Sequence, residues 1–89
     1  MRAVMTVIGP DRVGIIAGVS GLLAEKNVNI LDLSQTIMGG IFTMMLLVDT
    51  AGANCSFEAL RDAIAAWGAD NNLSMRIQRE DTFSAMHRI

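Results

Sequence analysis

Two adjacent glycines, Gly39 and Gly40, separate two strand-like segments and constrain the fold more than any other feature of the sequence. The preceding segment, Asn29–Met38, alternates loosely between apolar and polar residues, whereas the following segment, Ile41–Val48, is apolar on both faces. A two-residue glycine turn between two such runs is typical of a β-hairpin. We therefore predict an antiparallel pair, with the half-polar strand at a sheet edge and the apolar strand at the centre.

The remaining segments predict two further strands and two helices. Ala3–Ile8 is short and rich in β-branched residues, and Leu73–Gln78 alternates cleanly, so both read as strands. Apolar residues recur at helical spacing in Gly14–Lys26, with Asp11 available as an N-cap, and again in Ser56–Gly68. In the second helix the serine is the predicted cap and the glycine the predicted end.

The resulting order, β-α-β-β-α-β, is the pattern of the ferredoxin-like α+β sandwich. Right-handed crossovers and the tight hairpin predict an antiparallel sheet of order 4-1-3-2, with both helices on one face. The other face stays open, and the third strand presents there either Phe42, Met44 and Leu46 or Met45 and Leu47. An exposed apolar strip of this kind indicates a partner.

The 89 residues suffice for one domain, 1–89, in which we expect a short helical tail at about 80–89. A chain of this size buries only about 60 to 65% of its extended surface. Because 52% of the residues are hydrophobic, part of the apolar surface is expected to meet a second copy, and the predicted assembly is a homodimer. The net charge of -2, without a basic stretch, argues against nucleic acid as a partner.

No segment has the features of a membrane span or a signal peptide. The most apolar stretch, Val13–Ala24, is shorter than the roughly 20 residues that a membrane-spanning helix requires. The apolar run near the N-terminus is interrupted by Pro10, Asp11 and Arg12 before a cleavable signal could form. We therefore expect a cytoplasmic protein that does not bind membranes.

Cys55 and His87 are the single cysteine and the single histidine of the chain. One cysteine cannot form an internal disulfide, and the two residues together fall short of the four ligands of a typical zinc site. They lie in different segments, and no third group is placed to orient the histidine for catalysis. The sequence therefore predicts no catalytic residue, no metal and no cofactor.

The most informative segment runs from Gly9 to Ile16, where a strand passes into a helix through a turn. Unpaired backbone N–H groups and the positive end of the helix dipole converge at such a turn and can bind a carboxylate. Gly14 would let a ligand reach the backbone, and Asp11 could cap the helix or accept from an ammonium group. The alternative is a plain structural turn, with Gly14 present only for packing.

These residues resemble a known family. Gly-Pro-Asp-Arg-Val-Gly-Ile-Ile after the first strand, with Asn27-Val28-Asn29-Ile30-Leu31-Asp32 opening the second, is similar to the ACT domain, a regulatory module that binds amino acids and related ligands. The ending, residues 83–89, resembles the short free-standing ACT proteins, which are related to the ACT repeats of a glycine-cleavage regulator.

The resemblance implies a ligand site in the turn before the first helix, completed by the asparagine that opens the second strand of the neighbouring subunit. The residues that correspond to this site are Asp11, Arg12, Val13, Gly14, Ile15 and Asn29. Strand alternation places Asp32 off the Asn29 face, yet its charge could suit an amino group nearby, so we include it as a candidate; it could equally be a solubilising edge charge.

The function implied is that of a non-enzymatic regulator, which binds an amino acid or similar metabolite at a dimer interface and signals to a partner protein. The alternative is a constitutive dimeric interaction module without a ligand.

Overall fold

The computed structural model describes residues 1–81 and has the expected order of elements. They are β1 (Arg2–Pro10), α1 (Ile15–Glu25), β2 (Asn29–Met38), β3 (Ile41–Asp49), α2 (Phe57–Asp70) and β4 (Ser74–Arg79). The helical tail predicted at about 80–89 falls mainly on residues 82–89, which lie outside the described residues. Neither α1 nor α2 is long and apolar enough to cross a membrane.

The four strands form one antiparallel sheet in the order β2-β3-β1-β4, which confirms the predicted fold. Directly opposed residues of an antiparallel pair share a face, and one face carries the buried residues of every pair between β1, β3 and β4. Both helices cover that face. The core consists of Ala3, Met5, Val7, Ile15, Val19, Leu22, Leu23, Val28, Phe42, Met44, Leu46, Val48, Leu60, Ile64, Leu73, Met75 and Ile77.

The register decides which residues of β3 occupy the open face. Phe42, Met44 and Leu46 are buried beneath the helices, so the alternating set with Met45 and Leu47 points the other way. Met45 remains 41% exposed there. The sequence left open which of two sets of β3 residues lies on the open face. The structure places Met45 and Leu47 there.

A β-bulge in β2 changes the expected phase of this strand. Asn29 pairs with Asp49 and Asp32 pairs with Leu47, with the irregularity between Ile30 and Asp32. Because Asp49 and Leu47 lie on the same face of β3, Asn29 and Asp32 also share a face. The expectation that strand alternation separates them is wrong, since the bulge inserts one extra residue.

The ends of the helices differ from the sequence expectations at two points. Asp11 does not cap α1; its N-cap residue is Gly14, with no side-chain cap hydrogen bond. Ser56 caps α2 as predicted, because its hydroxyl accepts from the backbone N–H of Ala59 at 3.1 Å. Gly68, however, lies inside α2: a Cβ there would come within 2.8 Å of the Leu73 carbonyl oxygen, so the glycine permits close packing instead of ending the helix.

The three glycines at the start and within α1 have different roles. A Cβ on Gly18 would lie 2.9 Å from the ring of Trp67, so this residue lets the side chain of α2 pack closely. A Cβ built on Gly14 or on Gly21 would have no atom within 4 Å. Gly14 is instead required by its left-handed backbone, with φ 91° and ψ 2°.

This contrast predicts opposite effects for two matched substitutions. We expect Gly14→Ala to lower the free energy of unfolding by about 1 kcal/mol, because alanine is strained at positive φ. Gly21→Ala should raise it by about 0.5 to 1 kcal/mol, since alanine is the better residue in an open helical position. Urea denaturation of both variants measures the difference, and effects of the same sign would contradict this reading of Gly14.

Candidate functional site

A groove of about 490 Å³ lies between the N-terminal turn of α1 and the second half of β2. Its walls combine the turn residues, the first turn of the helix and the helix-facing side of the strand. It is lined by Asp11, Arg12, Gly14, Ile15, Ile16, Ala17, Gln35, Ile37 and Phe42.

The groove exists because α1 leaves the inner side of the edge strand uncovered. Leu33 and Ile37 pair with the buried Leu46 and Phe42, so they belong to the helix-facing side of the sheet. Yet they are 36% and 57% exposed. Ile16 on α1 is also 40% exposed, which leaves an apolar cleft between the helix and the strand.

The turn at the end of this groove presents backbone donors to it. The backbone N–H of Asp11 donates to the carbonyl of Gly40 at 2.9 Å, which ties the turn to the β2–β3 hairpin. Gly14 then directs the chain into α1, and no acidic residue occupies the first turn. The first N–H groups of a helix have no intrahelical acceptor, and they carry the positive end of its dipole. An anionic acceptor such as a carboxylate is therefore chemically suited to this position.

The structure brings four of the five predicted turn residues to the groove. Asp11, Gly14 and Ile15 line it directly. Arg12 lines it as well, although a guanidinium nitrogen also donates to Asn71 Oδ1 beyond the end of α2, at 3.4 Å. Val13 is fully exposed and is not among the lining residues, so its side chain contributes no wall.

The two predicted β2 residues lie outside the groove of their own chain. Asn29 opens the strand and lines a separate cleft with Asp49, and at about 3.3 Å per residue it is roughly 25 Å along the strand from Ile37. Asp32 points to the open face, and its carboxylate accepts from the backbone N–H of Leu33 at 2.8 Å. Within one chain, neither side chain joins the turn residues.

Gln35 and Ile37 are groove residues that the sequence reasoning missed. Gln35 pairs with the buried Met44, so its amide is on the helix-facing side of β2. A signal was available, since Gln35 has the same phase as the apolar Leu33 and Ile37. A polar residue on the apolar side of an alternating strand is a candidate for binding.

Electrostatics around the Asn29 cleft are set by the neighbouring Asp49. The backbone N–H of Ala51 donates to its carboxylate at 2.9 Å, and the N-terminal amine lies 3.4 Å from the same oxygen. These two hydrogen bonds hold the pKa of Asp49 below its usual value, the first having the larger effect. Asp49 is therefore ionised at neutral pH, and the N-terminal amine beside it offsets its negative charge.

Residues 1–81 contain no cluster of three or more histidine, cysteine or acidic side chains that could hold a metal ion. Cys55 is a half-buried free thiol. His87 lies outside the described residues.

The comparisons with known proteins agree with this architecture. A family model described as the ACT domain matches residues 2–78. The chain belongs to the ACT domain family.

This ACT domain is similar to a curated protein of the same length and to solved structures. A UPF0237 protein from Listeria monocytogenes is 52% identical over 89 residues and is covered completely, as is this chain. The solved structure of an ACT domain protein from Streptococcus pneumoniae is 42% identical, with a TM-score of 0.83 and 98% of each chain covered. A structure described as a glycine cleavage system transcriptional repressor is 25% identical, with a TM-score of 0.76, covering 86% of this chain and 44% of that one.

Proposed function

We propose that this ACT protein is a non-enzymatic cytoplasmic regulator that binds an amino acid or a similar small metabolite in the α1–β2 groove of a homodimer. A partner protein then responds to the bound state. The observation that carries the proposal is the uncapped turn at Gly14, which opens into an apolar cleft.

The two ends of the groove suit the two parts of such a ligand. The backbone donors at the start of α1 offer a site for a carboxylate, and the missing side chain of Gly14 leaves room for its approach. Ile16 and Ile37 form apolar walls for a side chain, while the Gln35 amide can donate or accept. Asp11 is the acidic group at the same turn and suits an ammonium group.

A second copy of the chain would complete this site. β2 is an edge strand and therefore carries unpaired backbone groups that another strand can engage. If two β2 strands pair antiparallel about a two-fold axis near Ser34, Asn29 of the second copy lies at the level of Met38, close to the groove. Asn29 and Asp32 share the open face, but Asn29 is the first residue of its strand, so its amide can turn around the strand end toward the groove. Asp32 lies within the strand and its carboxylate is held by the N–H of Leu33, so we leave it out of the proposed site.

The similarity to the repressor structure supports an output through another macromolecule, because that protein is described as a glycine cleavage system transcriptional repressor. Its chain is longer, and the ACT chain spans 44% of it. We propose that the output of this ACT domain likewise passes to another macromolecule, a partner protein.

A thermal-shift screen against the twenty amino acids, with nucleotides as controls, tests the proposal. We expect at least one amino acid, and no nucleotide, to raise the melting temperature, because a ligand that binds only the folded state stabilises it. If no amino acid shifts the transition, the protein is better described as a constitutive dimeric module without a ligand.

Neighbouring residues of β2 provide a matched test of the site itself. Gln35 faces the groove and Thr36 faces the open side of the sheet, since its partner is Thr43. We expect Gln35→Ala and Asn29→Ala each to weaken binding of the ligand found in the screen by about 0.5 to 1.5 kcal/mol, the value of one hydrogen bond.

Thr36→Ala should leave the affinity unchanged. Calorimetric titration of the three variants measures these effects, and urea denaturation confirms that they remain folded. Parental affinity in both Gln35→Ala and Asn29→Ala would rule out the proposed intersubunit site.

A further inference from the structure

A second groove, of about 640 Å³, lies at the opposite edge of the sheet, between α2 and β4. It is larger than the α1–β2 groove and shares no residue with it. Its lining residues are Phe57, Glu58, Arg61, Asp62, Ala65, Met75, Arg76, Ile77, Gln78 and Arg79.

Arginines stand on both sides of the exposed edge of β4. Arg76 pairs with Thr6 and points to the open face, opposite in phase to the buried Met75 and Ile77. Arg79 is on the helix side, with its guanidinium 5.8 Å from the centre of the Phe57 ring. Arg76 takes part in none of the ion pairs among residues 1–81.

The wall formed by α2 is mixed in character. Arg61 and Asp62 form an exposed ion pair at 3.6 Å, and Glu58 is the remaining acidic residue. Ala65 and the half-buried Phe57 supply apolar surface. Three arginines against two acidic residues leave the groove positive, in a chain whose net charge is -2.

Within residues 1–81, β4 is an edge strand of the sheet, so alternate residues direct their backbone N–H and C=O groups away from β1. An extended segment can pair with such an edge as an additional strand. Its side chains would alternate between the open face, where they meet Arg76, and the helix side, where they meet Phe57 and Ala65.

The charges of the two sheet edges favour different occupants. β2 carries one charged residue, Asp32, whereas the six residues of β4 include Arg76 and Arg79. Pairing β4 with the β4 of a second copy would bring like charges together, which is unfavourable. An acidic segment of another protein complements this edge instead.

From these contacts we infer that β4 and α2 form a docking site for an extended segment of a partner protein, in which apolar residues alternate with acidic ones. The segment adds to the sheet as a fifth strand beside β4, with its acidic side chains next to Arg76. This inference rests on the proposed function only in assigning the output to a partner protein. In a dimer paired through β2, the two β4 strands lie at the outer edges of the joined sheet.

Fluorescence anisotropy with labelled hexapeptides tests the inference. The probe Glu-Val-Glu-Val-Glu-Val matches the six residues of β4, and Lys-Val-Lys-Val-Lys-Val has the same strand propensity with the opposite charge. We expect the acidic probe to bind at least ten-fold more tightly, with an affinity that falls as salt is added. Methylation of alternate backbone nitrogens on its pairing edge should abolish binding, because it removes the ladder donors.

Two charge reversals locate the site. Arg76→Glu should lower the affinity for the acidic probe at least ten-fold, while Arg76→Lys should retain most of that affinity. Lys26→Glu makes the same change in net charge beside the C-terminal end of α1, away from both grooves, and should have an effect of less than about two-fold, because exposed charges at a distance are screened.

The other outcomes overturn the inference in distinguishable ways. No binding of the acidic probe means that the arginines only protect a free edge from self-association. Equal loss in Arg76→Glu and Lys26→Glu means nonspecific attraction, and binding that survives backbone methylation means that no strand is added. Amino-acid binding to Arg76→Glu, measured in parallel, reports on the α1–β2 groove alone, so its failure would count against the proposed function and not against this site.

Discussion

The pairing of β1 with β3 is the contact on which the rest of the structure depends. Its register places Met5 opposite Leu46 and Val7 opposite Met44, and all four side chains are buried beneath the helices. Truncating a buried side chain of this size to alanine typically costs about 2 to 5 kcal/mol. Because successive residues of a strand alternate between faces, this one register also decides which side chains of β1 and β3 remain on the open face.

The two grooves follow from the different ways in which the edge strands meet the helices. α2 packs closely on β4 through Gly68, whereas α1 is displaced from β2 and leaves Leu33 and Ile37 exposed. The first arrangement gives a charged groove beside the edge strand β4. The second gives an apolar cleft that ends at a helix N-terminus, where backbone donors lack a side-chain cap. The uncovered strand leaves apolar side chains exposed, and the uncapped turn leaves backbone N–H groups without a side-chain acceptor. A ligand bound in the cleft would cover the first and pair with the second.

The overall fold could be predicted because each local signal agreed with it. The Gly39–Gly40 turn, the apolar β3 and the alternation in β4 all favour one sheet order, and the structure has that order. The helix ends were harder to predict, since close packing at Gly68 and the left-handed conformation of Gly14 depend on backbone contacts that composition does not reveal. The bulge at Leu31 was also missed, because inserting one residue into β2 leaves no clear mark in a loosely alternating sequence.

Only the part of the candidate site that comes from one continuous segment, the turn before α1, could be predicted from the sequence. The turn residues were identified because a strand, a turn and a helix start follow one another, but Gln35 depends on how α1 lies over β2. Asn29 belongs to the opposite end of its own strand, so its proposed role depends on a second copy of the chain.

A titration followed by the backbone amide resonances of the protein tests the central claim most directly. On addition of an amino acid that binds, the signals of Gly14, Ile15 and Ile16 should shift together with that of Asn29, and all should saturate at one ligand concentration. This result would place the carboxylate of the ligand at the Gly14 turn and Asn29 of the second copy at the same site. Saturable shifts confined to residues away from α1 and β2, or no shift with any of the twenty amino acids, would contradict the account.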